Sequence, residues 1–189
     1  QRRELVDEAY AGDVIGIPNH GILHLGDVLT EGEALHFTGL PFFAPELFQA
    51  VETKDPLRTK QLRTGLLQLG EEGAIQVFRP LVAGGALLLG AVGQLQFEVV
   101  AHRLQAEYGA EARLMPSRYN MARWVTAEDP KELRKFIDAN VSNIAYDVVE
   151  APAFLVSSTA QLRVAEERYP AIRFHAMREH GGQVFADKV

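Results

Sequence analysis

The chain has 189 residues, 47% of them hydrophobic and 23% charged, which is typical of a folded globular protein. It contains no cysteine, so disulfides, thiolate metal sites and cysteine nucleophiles are excluded. The formal net charge is −6, so nucleic acid could be bound only through local basic patches and not through a general positive field.

Residues 1–40 contain short apolar stretches separated by glycine turns, such as AGDVIGIP, GILHLGDVLTEG and ALHFTGL. Short strands at this close spacing are typical of part of a β-barrel. Forty residues are too few to close a barrel. We therefore expect residues 1–45 to be the end of a barrel domain and a connector, PFFAPELF, with the earlier strands upstream of Gln1.

A different pattern begins at residue 46 and predicts strand, helix, strand, strand, helix, strand. The strands are ELFQAVET, AIQVFRP, ALLLGAVG and AEARLMP. The first helix is DPLRTKQLRTGLLQLGEEG, with Asp55 as its N-cap and Gly70 at its end. The second helix follows Gly93 and ends at Gly109. The two apolar helix faces comprise Leu62, Leu66 and Leu69, and Phe97, Val100, Ala101, Leu104 and Tyr108.

The same order recurs in the remainder of the chain. MARWVTA, IAYDVVE, AFLVSS and AIRFHAM are predicted strands, and DPKELRKFIDAN and STAQLRVAEERYP are predicted helices. Asp129 with Glu132, and Ser158 with Gln161, have the spacing of capping boxes. The predicted fold class is therefore α+β: barrel strands, then a ferredoxin-like βαββαβ domain with a second, similar block. We assign residues 46–180 to this domain and residues 181–189 to a flexible tail.

The strand-turn-helix LGAVGQLQFEVV resembles a phosphate-binding turn at first sight. A P-loop has four residues between its glycines and then Lys and a hydroxyl residue, whereas Gln94 and Leu95 follow Gly93. A dinucleotide fingerprint has three glycines, and only Gly90 and Gly93 are present. We therefore interpret the turn as structural, with both glycines serving packing.

No arrangement of residues predicts catalysis or metal binding. His20 and His24 flank a predicted strand and the other four histidines are scattered, so no His-x-x-x-His pair lies on a predicted helix. The adjacent pairs Glu71–Glu72 and Glu166–Glu167 do not face each other on a helix and indicate surface charge. We therefore predict no catalytic, cofactor or metal site within this chain.

Basic residues form three groups that could contact RNA phosphates. One group lies on the first helix, one in the predicted loop before MARWVTA and at the start of that strand, and one on the third helix. A solvated helix face explains these charges equally well, and few aromatic residues lie among them to stack on bases. The candidate contact residues are Arg58, Lys60, Arg63, Arg118, Arg123, Lys131, Arg134 and Lys135.

Several segments together resemble the bacterial peptide chain release factor three family of translational GTPases. They are FTGLPFFAPELF, DPLRTKQLRTGLLQLGEEGAIQVFRP, GAVGQLQFEVVAHRLQAEYG, ARWV and LRVAEERYPAIRFHAMREH. The resemblance runs from about Ala11 to His180. It implies the end of the second domain and the whole third domain of such a protein, with the GTP-binding domain, and its GTP or GDP and Mg²⁺, upstream.

The resemblance also implies the function and the partners. The parent protein would be a GTP hydrolase that drives class I release factors off the ribosome in translation termination. This chain would be a monomeric, cytoplasmic part that docks on small-subunit RNA and protein, without a membrane.

Two alternatives remain open at this stage. The chain could be a stand-alone ferredoxin-like regulatory or ligand-binding module, because fold alone does not choose among functions. It could also be a fragment of an elongation-factor-G-like GTPase. A P-loop motif encoded upstream of Gln1 would favour a GTPase over the module.

Overall fold

A computed structural model of the chain describes residues 5–18, 22–23, 26–35 and 41–179. The predicted barrel strands stay a prediction, because the described residues before Pro41 contain no hydrogen-bonded strand. The stretch ALHFTGL lies largely outside the described residues, and so does the predicted tail, 181–189.

The first unit contains four strands and two helices in the predicted order. Its elements are β2 (Leu47–Thr53), α1 (Thr59–Glu71), β3 (Gln76–Pro80), β4 (Leu88–Ala91), α2 (Leu95–Tyr108) and β5 (Ala112–Pro116). The strands are antiparallel in the order β5-β2-β4-β3. This is the ferredoxin-like arrangement that the sequence predicts.

The second unit repeats the arrangement. Its elements are β6 (Met121–Ala127), α3 (Pro130–Ala139), β7 (Ile144–Tyr146), β8 (Pro152–Val156), α4 (Thr159–Arg168) and β9 (Ile172–His175). The strands are again antiparallel, in the order β7-β8-β6-β9. The second block is therefore a full counterpart of the first.

The two units share one sheet. β3 pairs with β7, with Arg79 opposite Tyr146 and Pro80 opposite Ala145. The complete order, β5-β2-β4-β3-β7-β8-β6-β9, reads as a palindrome of equivalent strands. Because opposite residues of an antiparallel pair point to the same face, the helix-bearing faces of both units lie on one side of this sheet.

Three clusters of apolar side chains make up the core. One lies between the first unit's sheet and its helices and includes Leu66, Leu69 and Leu104. A second lies under the helices of the second unit around Phe136. The third occupies the helix-free face and joins both units, since it contains residues of each: Phe48, Phe78, Leu88, Ala122, Trp124, Ala145, Ala153 and Leu155.

A short ribbon completes the described fold. β1 (Pro41–Phe43) pairs with β10 (Met177–Glu179), separately from the larger sheet. The Ala44 N–H continues the pairing by donating to the Ala176 carbonyl at 2.7 Å. The predicted connector is thus partly a strand, and its partner is the last strand of the described chain.

Three helices begin where the sequence predicts, but α1 begins at Thr59 and not directly after Asp55. Asp55 caps a short 3₁₀ turn, Pro56–Arg58, that leads into α1, by accepting from the Leu57 N–H at 2.9 Å. Asp129 caps α3 by accepting from the Lys131 N–H at 2.8 Å, and Gly109 ends α2 with φ of 60°.

Half of the second capping box is confirmed, since Ser158 Oγ accepts from Gln161 N at 3.3 Å, whereas Gln161 Oε1 accepts from the Ser157 N–H at 3.1 Å and not from that of Ser158. In the first predicted capping box, Asp129 with Glu132, the Glu132 carboxylate instead accepts from Lys135 Nζ at 2.7 Å.

One predicted helix end is wrong. α1 continues through Gly70 to Glu71, and the chain reverses at Gly73, where φ is 71°. The reason lies in packing, since Gly70 is buried and an added Cβ would lie 2.8 Å from Val148 Cγ1. Gly70 therefore permits close approach to its neighbours and does not cap the helix.

Candidate interaction surface

The first two amides of the turn between β4 and α2 already donate to a side chain of the protein and are not free to bind a phosphate. The Gln96 Oε1 atom accepts from the N–H groups of Val92 and Gly93 at 2.9 and 3.3 Å. These amides are of the kind that cradle phosphate in nucleotide-binding turns. The Gln96 side chain thus accepts the hydrogen bonds that a phosphate would accept, which supports the structural interpretation of this turn.

The two glycines of the turn differ from each other. A Cβ on Gly90 would lie 2.5 Å from Pro45 Cγ and 2.9 Å from Phe78 Cε2, so Gly90 is required for close packing. A Cβ on Gly93 would meet nothing within 4 Å. The expectation that both glycines serve packing is therefore confirmed for Gly90 and wrong for Gly93, which lies at an open turn.

The predicted basic group on the first helix divides in two. Arg58 is tied down, since its Nη1 donates to the Gly109 carbonyl and its Nε lies 3.6 Å from Asp55 Oδ2. Lys60 and Arg63 are exposed and have no carboxylate partner among the described residues. The helix therefore presents two available cations, three residues apart.

The basic residues of the predicted loop and strand start, Arg118 and Arg123, are engaged within the protein. Arg118 Nη2 donates to Tyr119 Oη at 2.7 Å and to the Ser142 carbonyl at 3.2 Å, and its guanidinium lies 4.8 Å from the Tyr119 ring centre. Arg123 is half-buried and donates to the Ala122 carbonyl at 2.7 Å. Burial lowers the pKa of Arg123, opposed by Glu166 and Glu46.

The third helix repeats the pattern of the first. Lys131 and Arg134 are exposed, and their side chains have no carboxylate partner in the described part of the chain. Lys135 is paired with Glu132 at 2.7 Å, which raises the pKa of the lysine. Again two cations three residues apart remain available.

The structure thus brings out two exposed cation pairs from the eight predicted residues. Lys60–Arg63 and Lys131–Arg134 lie on the first helix of each unit, after an Asp-Pro start, but the second pair lies three residues closer to that start, so that only Lys60 and Arg134 occupy corresponding positions. The register of β3 with β7 places both helices on one side of the sheet. The interaction surface is defined here as these four residues; Arg58, Arg118, Arg123 and Lys135 are occupied within the fold.

A cleft at the junction of the two units was not predicted from the sequence. It has a volume of about 450 Å³ and includes Arg63 at its border, together with the Arg79–Glu150 ion pair across the junction. Glu150 has φ of 61°, a conformation that favours glycine. No local pattern marks these residues, because Arg79 and Glu150 are 71 positions apart.

No group of three or more metal-binding side chains occurs within the ranges that the structure describes. A search of the same residues for helices long and apolar enough to cross a membrane also found none.

Comparisons with known proteins identify the class to which this two-unit domain belongs. Residues 37–166, which include the first unit and most of the second, match the family described as "Class II release factor RF3, C-terminal domain". The chain belongs to this family of release factor C-terminal domains.

Curated relatives agree with the family match. The chain is 81% identical over 187 residues to a protein of Bordetella avium and 69% identical over 185 residues to one of Nitrosomonas eutropha, both named peptide chain release factor 3. These alignments cover 99% and 98% of the chain, but only 35% and 34% of the relatives. The chain spans about a third of the length of the curated relatives that it matches.

Proposed function

We propose that this chain is the ribosome-docking part of a translational GTPase, one that promotes GTP-dependent dissociation of class I release factors during translation termination. The names of the relatives and the family match support the release-factor role. GTP and Mg²⁺ would be bound by the two thirds of such a protein that this chain does not match.

The observation that carries the docking proposal is that the first helix of each unit has two exposed cations without a carboxylate partner among the described residues. Lys60, Arg63, Lys131 and Arg134 are exposed and not neutralised by a neighbouring carboxylate in the described structure. In a chain of net charge −6, such cations can bind phosphates of small-subunit RNA without first breaking an ion pair. Contacts of this type position a protein and do not read sequence.

The continuous sheet gives the docking part a mechanical role. The β3–β7 pairing and the shared apolar cluster join the two units into one body. A body held at two points on one side of its sheet resists rotation better than one held at a single point. We infer that this arrangement lets the chain transmit the nucleotide state of the longer protein by rigid-body motion.

The test uses the Bordetella avium relative with its matching third replaced by this chain. Lys60 and Arg63 are changed to Glu in one variant, Lys131 and Arg134 in a second, and all four in a third. The control is Arg113→Glu. Arg113 is exposed on β5, on the other face of the sheet, because the adjacent Leu114 packs against the helix-side core.

Ribosome binding is measured by pelleting at several salt concentrations. We expect weaker binding, and a salt slope that falls by about 1 for each cation that contacts a phosphate. The control should keep the original affinity and slope. GTP-dependent release of a class I factor from termination complexes should also slow, and the four-residue variant should be slower than either two-residue variant. An unchanged slope in the four-residue variant would refute docking through this surface.

A further inference from the structure

The β1–β10 ribbon is the route by which the chain enters the two-unit body. Its backbone hydrogen bonds join β1 to β10 and join neither strand to the eight-stranded sheet. Only a bend at Ala176 separates β10 from β9. Because no backbone pairing joins the ribbon to the sheet, its orientation depends on the bend at Ala176 and on side-chain contacts.

One arginine joins both strands of the ribbon to the body, in addition to the Gln76 Nε2 group, which donates to the Phe43 carbonyl at 2.5 Å, and to the contact between the Phe42 and Trp124 rings. Arg178, on β10, is 5% exposed, and its Nε lies 3.0 Å from Asp147 Oδ2. Its guanidinium carbon lies 4.4 Å from the ring centre of Phe42 and 5.3 Å from that of Trp124. Arg178 thus connects both strands of the ribbon to β6 and to the turn after β7.

Asp147 is held by the body of the protein independently of Arg178. Its Oδ2 accepts from Trp124 Nε1 at 2.9 Å, and its Oδ1 accepts from the N–H groups of Val149 and Ala151 at 3.0 and 2.9 Å. The Asp147 carboxylate is therefore preorganised, and the ribbon is attached to it through the Arg178 guanidinium. Burial lowers the pKa of Arg178, and Asp147 opposes this effect.

Buried ion pairs contribute little net stability compared with apolar residues of the same size, but they accept only one geometry. Apolar contact alone would let the short ribbon slide on the helix-free face. An ion pair flanked by two aromatic rings fixes both its position and its direction. The chemistry of this cluster therefore suits orientation more than stabilisation.

We propose that Arg178 is a positioning residue that clamps the β1–β10 ribbon, so that the segment entering at Pro41 keeps one orientation relative to the two-unit body. The clamp is a property of the chain itself. Its consequence for transmission between domains rests on the proposed function.

The test compares Arg178→Met with Arg173→Met in the 189-residue chain. Arg173 lies on β9 and forms an exposed pair with Glu128 at 2.6 Å, so the control removes a surface ion pair with the same change of side chain. Amide hydrogen exchange follows the Ala44 N–H, which bonds to Ala176, and the amides of β6 and β8. Trp124 is the only tryptophan, so its emission reports on the cluster directly.

We expect Arg178→Met to accelerate exchange at Ala44 by on the order of tenfold or more, with β6 and β8 unchanged, because the ribbon opens without the sheet. The Trp124 emission should shift, and Arg173→Met should leave both measurements as they are. Arg178→Lys, which keeps the charge, should restore part of the protection.

Two results would overturn the proposal. Wild-type exchange at Ala44 in Arg178→Met would show that other contacts hold the ribbon. Equal acceleration at Ala44, β6 and β8 would show that Arg178 serves general stability. Neither measurement involves the ribosome, so a failed docking experiment would leave the clamp untouched, and the reverse also holds.

Discussion

The two units have the same topology and different cores. In the first, leucines dominate, with Leu66, Leu69 and Leu104 completely buried between the sheet and both helices. In the second, Phe136 lies at the centre of an aromatic group, with ring centres 4.9 Å from Tyr169, 5.3 Å from Phe154 and 5.6 Å from Phe174. Edge-to-face pairs of this kind add to the free energy of burial.

The difference shows which features specify this fold. The order of apolar strands and the Asp-Pro helix starts are common to both units, and each first helix carries two exposed cations, although at different distances from that start; the identities of the core residues differ. Cores tolerate such exchange as long as volume and pattern are kept. The surface features that the units share are therefore the better indication of a common role.

Removing the aromatic centre should have the largest effect on stability. Phe136→Ala should lower the free energy of unfolding by about 3–5 kcal/mol, because the side chain is buried and three ring contacts are lost. Leu104→Ala in the leucine core should cost about 2–5 kcal/mol. Denaturant unfolding measures both. A loss below about 1 kcal/mol for Phe136→Ala would contradict the central position given to this residue.

The glycines of the first unit allow a smaller and sharper test. Gly90→Ala should destabilise the protein by about 1–3 kcal/mol, because the new Cβ meets Pro45 and Phe78. Gly93→Ala should change the free energy of unfolding by less than about 0.5 kcal/mol. Thermal or denaturant unfolding of the two variants decides the point. If both variants changed the free energy of unfolding equally, close packing would not be the reason for a glycine at position 90.

The smallest expected effect concerns an ion pair that only the first unit has. Arg103 donates to Glu107 at 2.6 and 2.8 Å, and these bonds lower the pKa of the Glu107 carboxyl below its ordinary value. Because the folded-state pKa is the lower one, the stabilisation is present at neutral pH and is lost as the pH falls through it.

Carbon NMR titration of Glu107 measures this shift. In Arg103→Met the pKa should rise towards its ordinary value, since the donor is gone. A wild-type titration at the ordinary value would show that the pair does not persist in solution.

Much of the fold was predictable because its signals are local. Asp55, Asp129 and Gly109 mark helix ends through bonds to neighbours a few residues away. The junction was not predictable in this way, because Arg79 and Tyr146 are brought together by tertiary structure alone. The clamp depends on Phe42 and Arg178, which lie near opposite ends of the described chain.

The candidate surface was predicted only in part, and for a related reason. Sequence identifies cations but not their partners. Arg118 and Arg123 were placed with the others, yet internal carbonyls and a tyrosine ring occupy them. Lys60 and Lys131 could be separated from these only after the neighbouring side chains had been located.

The most direct test of the account is site-specific crosslinking to the ribosome. A photoreactive residue replaces Lys60 or Lys131 in the chimeric protein, and Arg113 on the other face of the sheet serves as the control. The account predicts that both helix positions crosslink to the small subunit and that position 113 does not. Crosslinking from position 113 alone, with neither helix position reacting, would contradict it.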